Sequence, residues 1–163
     1  MHKIPFRSAR CIVVTVSDTR TVDTDKSGQL IKHLLEENNH ICANHIIVKD
    51  EQLMIDEMIS EGVNNKEVDI ILMTGGTGIA KRDVTIEVVE KKLTKIVPGF
   101  GELFRMISYK EDIGSRAMMS RAIAGTIGDK FIVAMPGSSG AVRLAMKRLI
   151  LPEIPHILHE LKK

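Results

Sequence analysis

Residues 74–78, TGGTG, and 136–140, PGSSG, each set glycines beside hydroxyl side chains directly after an apolar run, IILM in the first case and FIVAM in the second. Glycine admits positive φ and lets a ligand approach the main chain, and successive amides in such a turn form a cradle for an anion. The candidate cradle residues are Thr74, Gly75, Gly76, Thr77 and Gly78 in one loop and Pro136, Gly137, Ser138 and Ser139 in the other. Each loop alone also fits a plain strand-to-helix turn, with Ser138 or Ser139 as a helix cap. Two common phosphate loops fail on spacing. No Gly-x4-Gly-Lys-Ser/Thr run exists, and a dinucleotide fingerprint on Gly76 and Gly78 would need a small residue where Lys81 stands. If the two preceding strands are neighbours, both loops would face one phosphorylated ligand.

Acids stand near the same predicted strand ends: Asp50 in VKDE, Asp83 in KRDVT, and Asp18 beside Ser17. A carboxylate repels a phosphate unless a cation lies between them, and Mg²⁺ is commonly held by one or two carboxylates plus substrate phosphates. Asp50 and Asp83 are therefore candidates for metal binding and for positioning a nucleophile. The alternatives are a helix-capping acid at Asp83 and a surface acid at Asp50. Ser120-Arg121 offers a hydroxyl and a guanidinium able to grip a phosphate in bidentate fashion, or else a surface ion pair beside small packing residues. His156 and His159 lack a third ligand nearby and read as surface residues. No Ser or Cys sits in a nucleophile elbow with a partnered His, so covalent catalysis is not expected.

The elements that must carry these loops alternate between apolar runs and amphipathic segments. Cys11–Ser17 reads as a strand buried on both faces, because its apolar residues are continuous, and further strands are expected at residues 45–48, Val68–Met73 and Lys130–Met135. Helical spacing appears from Ser27, a candidate cap, through Leu35; from Glu51 to a C-cap at Gly62; over Asp83–Leu93; over Gly99–Ile107; and after Gly140. Pro152 and Pro155 leave room for a last helical turn or two ending at Lys163. Strands and helices in alternation predict an α/β fold of three layers, a mostly parallel sheet in a single domain, with ligands in the crevice beyond the strands' carboxyl ends.

The whole chain narrows the classes. Its 163 residues suit one domain, here 10–163 after an N-terminal extension of residues 1–9. Apolar residues are 44% and charged residues 27%, an ordinary globular balance. No run approaches the ~20 apolar residues of a membrane span, and the basic-then-apolar start runs into Asp18 too early for a secretory signal. The expectation is no membrane partner and a cytoplasmic location, consistent with Cys11 and Cys42 as buried thiols. A net charge of +2, with Tyr109 and four Phe as the only aromatic residues, gives no support to nucleic-acid binding.

In order along the chain, VTVSDTR, DTDKSG, IVKDE, TGGTG with RDVT behind it, PGFGELFR, SRAIAG and MPGSSGA together resemble the MoaB/MogA family of molybdenum cofactor biosynthesis proteins, which includes domains of gephyrin and of plant enzymes. The resemblance covers Cys11 to the C-terminus. It implies a molybdopterin-binding domain that assembles as homotrimers or hexamers, and a transfer of AMP from Mg-ATP to the terminal phosphate of molybdopterin. Carried over by position, the glycines of TGGTG would cradle phosphate, Asp50 and Asp83 would be the acids of transfer, and Ser120 with Pro136 to Ser139 would complete the pocket. Many relatives have proline where Ser139 stands, whereas members labelled MoaB have serine, and some of these lack the transfer acids. Both acids are present here. The rivals are a non-catalytic molybdopterin carrier and a nicotinamide-dependent oxidoreductase.

Overall fold

The computed structural model describes residues 4–163. Strand β1 (Arg10–Val16) is buried at every position but its first. Helix α1 (Lys26–Glu37), edge strand β2 (Ile41–Val48), helix α2 (Gln52–Asn64) and strand β3 (Ile70–Thr74) follow. Every residue of β3 is buried, and each buried Ile or Leu side chain there contributes about 1.5–3 kcal/mol. Next come α3 (Thr85–Lys92), a two-residue strand β4 (Lys95–Ile96), α4 (Pro98–Glu111) and a 3-10 segment, Gly114–Met119. The chain closes with the β5 (Ile123–Ile127) and β6 (Lys130–Met135) hairpin, α5 (Ser139–Ala145), a π turn over Met146–Ile150, and α6 (Leu151–Leu161).

The sheet runs β2-β1-β3-β6-β5-β4, with β2, β1, β3 and β6 parallel and β5 antiparallel to both its neighbours. One apolar cluster packs α1, α4, α5 and α6 against one face; a second packs α2 and α3 against the other. The expected three-layer, mostly parallel single-domain fold is what the chain adopts.

Local differences have physical causes. β2 begins at Ile41, four residues earlier than the apolar pattern predicts, because an edge strand exposes Ile41, Ala43 and Asn44 and its register with β1 slips between Cys11 and Ile12. Asp25, not Ser27, caps α1: its carboxylate accepts the Gly28 amide at 3.0 Å. Gly62 does not end α2 but lies inside it, where an added Cβ would come within 2.8 Å of Ile71. Residues 123–127, which the apolar pattern assigns to no element, form β5. The two-residue turn Gly128-Asp129, with Gly128 at φ 59°, is a hairpin signal in the sequence. The C-terminal segment is longer than a turn or two: α5 continues through the π turn into α6, with Pro155 tolerated because Ile154 and Leu158 anchor that helix in the core. Of the extension at residues 1–9, the first three lie outside the described residues, and Ala9 already donates its amide to His40 Nδ1 at 3.1 Å.

Candidate functional site

Chain order reverses direction across the sheet between β1 and β3, since β2 lies on one side of β1 and β3 on the other. Open α/β sheets bind ligands at such a switch point, where the loops leaving adjacent strands diverge. Beyond the carboxyl ends of β1, β3 and β6 lies a cleft of about 600 Å³. Ser17, Asp50, Gly75, Gly76, Thr77, Gly78, Asp83, Ser120, Pro136, Gly137 and Ser138 all line it, drawn from six separate stretches of sequence.

The two glycine loops are fastened to each other. Thr74, fully buried, donates its hydroxyl to the Pro136 carbonyl at 2.9 Å, and the Gly75 amide donates to the Met135 carbonyl at 3.0 Å. Gly75 has φ 97°, and a Cβ there would come within 2.4 Å of the Val16 carbonyl oxygen. Only glycine fits. The Thr85 hydroxyl, at the start of α3, ties down the Gly75 carbonyl at 3.0 Å. Among the described residues, the amides of Gly76, Thr77 and Gly78 donate to no protein acceptor. They are available to an anion in the cleft.

Asp50 and Asp83 flank that cradle. An added Cβ at Gly76 would come within 2.9 Å of Asp50 Oδ1, and one at Gly78 within 2.7 Å of Asp83 Oδ2. Asp83 accepts the Ala80 amide at 3.0 Å, so it organises its own loop; Val84, not Asp83, is the residue preceding the first turn of α3. Burial first, then the charges of Asp18 and Asp83, push the Asp50 carboxyl up from its ordinary value. A carboxylate disfavoured by neighbouring carboxylates is one a divalent cation would relieve. Among the described residues no cluster of three or more His, Cys, Asp or Glu is placed to hold a metal. Asp50 and Asp83 are the carboxylates of the cleft that could serve as ligands to a cation.

These cleft residues belong to a chain that matches, over residues 12–156, the family described as "Probable molybdopterin binding domain". It is also 59% identical over 157 residues to molybdenum cofactor biosynthesis protein B of Bacillus anthracis, spanning 96% of this chain and 93% of that protein. The chain belongs to the MoaB/MogA family of molybdenum cofactor biosynthesis proteins. A crystal structure of a molybdenum cofactor biosynthesis protein B, 59% identical, superposes with TM-score 0.94 over 96% of this chain and 97% of that one. A tungsten cofactor synthesizing protein MoaB from Pyrococcus furiosus, 32% identical, superposes with TM-score 0.85 over 98% and 100% of the two chains.

Within this MoaB/MogA fold four of the anticipated residues do not line the cleft: Asp18, Thr74, Arg121 and Ser139. Thr74 acts from beneath it, as above. Asp18 is gripped by Arg82, whose Nε and Nη2 donate at 2.7 and 3.0 Å, and it accepts the Asp50 amide at 3.1 Å. Those bonds hold its carboxyl below the ordinary range and clasp the loop after β1 to the loops carrying Asp50 and Asp83. Arg121 is not a free phosphate fork. Its Nε and Nη2 donate to the Thr77 and Gly78 carbonyls at 2.7–3.1 Å, and Glu87 takes the rest of the guanidinium as an ion pair. Its charge is spent bracing the TGGTG loop from below, with the Glu87 carboxyl held down by the same contact. Ser139 is the first residue of α5, while Ser138 caps it by accepting the Ala141 amide at 3.2 Å.

Thr19, Arg20 and Met119 also line the cleft and are not singled out by motif spacing. Among the described residues that line the cleft, Arg20 alone has a cationic side chain. Its position one loop residue beyond Ser17-Asp18-Thr19 was the available signal. Met119 has none, because it arrives from the 3-10 segment.

Proposed function

We propose that this chain binds molybdopterin and transfers AMP from Mg-ATP to its terminal phosphate, with release of pyrophosphate. The observation that carries this reading is the convergence of two glycine loops and the Asp50–Asp83 pair on one cleft, with the Gly76–Gly78 amides unengaged. A terminal phosphate oxygen of molybdopterin forms the new bond to the α-phosphorus of ATP, and the bond from that phosphorus to the β-phosphate bridging oxygen breaks. The nucleophile is already anionic, so no general base is needed and the chain's task is positioning and charge neutralisation. The amides of Gly76, Thr77 and Gly78 would donate to the oxygens of the transferred group, where charge develops. Asp50 and Asp83 would hold Mg²⁺, which when bound supplies the positive charge that lets two phosphorylated substrates approach.

Pyrophosphate release on mixing the protein with Mg-ATP and molybdopterin tests the reading. Asp83→Asn is expected to lower the transfer rate at least about a hundredfold, the scale typical of losing one charge-stabilising group, while molybdopterin binding persists. Unchanged transfer would remove Asp83 from the mechanism, and absence of release by the wild-type protein would leave the carrier reading. Two unpaired cysteines, Cys11 and Cys42, support a cytoplasmic, reducing setting. An exposed apolar strip on and after α4 supports assembly into trimers or hexamers: Leu103, Met106, Tyr109, Met118 and Met119 are all exposed.

A further inference from the structure

We infer that Arg20 is an anion-binding residue of the cleft, one that pairs with a phosphate of a substrate beside Gly137. The inference rests on the proposed function for the identity of the substrates, but the site itself is argued from the charges around it. Three arginines lie near the cleft, and two are already committed. Arg82 is locked in a two-point ion pair with Asp18, and Arg121 is consumed by Glu87 and loop carbonyls. Arg20 is different. Its side chain is 41% exposed, and its contacts are a long hydrogen bond from Nη1 to the Gly137 carbonyl at 3.5 Å and an approach of 3.8 Å to Asp25 Oδ1.

Neither contact depends on Arg20 for satisfaction. The Gly137 carbonyl also accepts the Ser27 hydroxyl at 2.6 Å. Asp25, fully buried, accepts the Gly28 amide at 3.0 Å and the Thr15 hydroxyl, and lies 2.7 Å from His45 Nε2. The guanidinium can therefore turn onto an incoming anion without orphaning a buried acceptor, which is the usual penalty for breaking such contacts. Its backbone is held in readiness: the Thr19 and Arg20 amides both donate to the Ser17 hydroxyl, at 3.2 and 3.1 Å. The cleft thus carries both two acids suited to a cation and a planar, five-donor cation suited to phosphate.

Inorganic pyrophosphate titrated calorimetrically into the full chain without Mg²⁺ tests the site separately from the chemistry. Arg20→Gln is expected to weaken binding about tenfold or more, the scale of a lost hydrogen bond to a charged group. Arg20→Lys, which keeps the charge but loses the fork, should weaken it by a smaller factor. Arg148→Gln removes the same charge at an exposed site outside the cleft and should leave affinity unchanged. Wild-type affinity in both Arg20 variants, an equal loss in Arg148→Gln, or no binding of pyrophosphate by the wild-type protein would each overturn the inference. Arg20-dependent binding without any AMP transfer would overturn the proposed function and leave the anion site standing.

Discussion

Asp50 sits where a carboxylate is least comfortable, and its discomfort is the sign of its role. Its carboxyl is raised in the folded chain by burial and by two neighbouring acids, so the fold binds this proton more readily than the unfolded chain does. Stability from this group is fully present below its unfolded pKa and is lost as pH rises through the folded one, so at neutral pH the ionised group opposes folding. Asp50→Asn should therefore melt at an equal or slightly higher temperature at pH 7, with the gain shrinking as the pH is lowered, while its AMP transfer falls. A lower melting temperature at pH 7 would mean that the carboxylate stabilises the fold after all. Added Mg²⁺ should move the Asp50 titration, followed by NMR, toward lower pH, because a cation favours the ionised form.

Among the elements, the elbow after β3 is the most constrained. Gly75 combines positive φ with a contact that admits no Cβ, so Gly75→Ala should destabilise the protein by at least about 2 kcal/mol in urea unfolding. It should also loosen the Thr74–Pro136 fastening and with it phosphate binding. The residue types of this elbow were readable in the sequence, as were the four parallel strands, because continuous apolar runs and glycine turns are local signals. β4 and β5 were not, since a two-residue strand carries no period and the short β5 has only the Gly128-Asp129 turn to mark it. The role of Arg121 was equally hidden. A guanidinium that grips phosphate and one that grips the carbonyls of a loop are the same residue in the same motif, and only the position of Glu87 tells them apart.

For the molecule as a whole, the face formed by α4 and the 3-10 segment is the least finished surface. Met118 is 81% exposed, Tyr109 60% and Met106 54%, a cost that association with further copies would remove. The cleft borders this face through Met119. Sedimentation velocity is expected to show a homo-oligomer, and Met106→Glu with Met118→Glu should shift it to monomer while leaving the circular dichroism spectrum intact. A monomeric wild-type protein would sink the assembly proposal. Among the described residues no helix is long and apolar enough to cross a membrane.

By itself the sequence determined the layered α/β fold, the family and the chemical character of the site, because buried strands, glycine elbows and acids announce themselves over a few adjacent residues. Tertiary structure decided which of those residues face the cleft and which hold it open. Asp18 and Arg121 have the right chemistry for a ligand and are turned instead onto Arg82 and the TGGTG carbonyls, while Arg20, unremarked in its motif, is left with donors to spare. Charge pairing is settled in space, between groups 34 to 64 residues apart in the chain, and no reading of local spacing contains it.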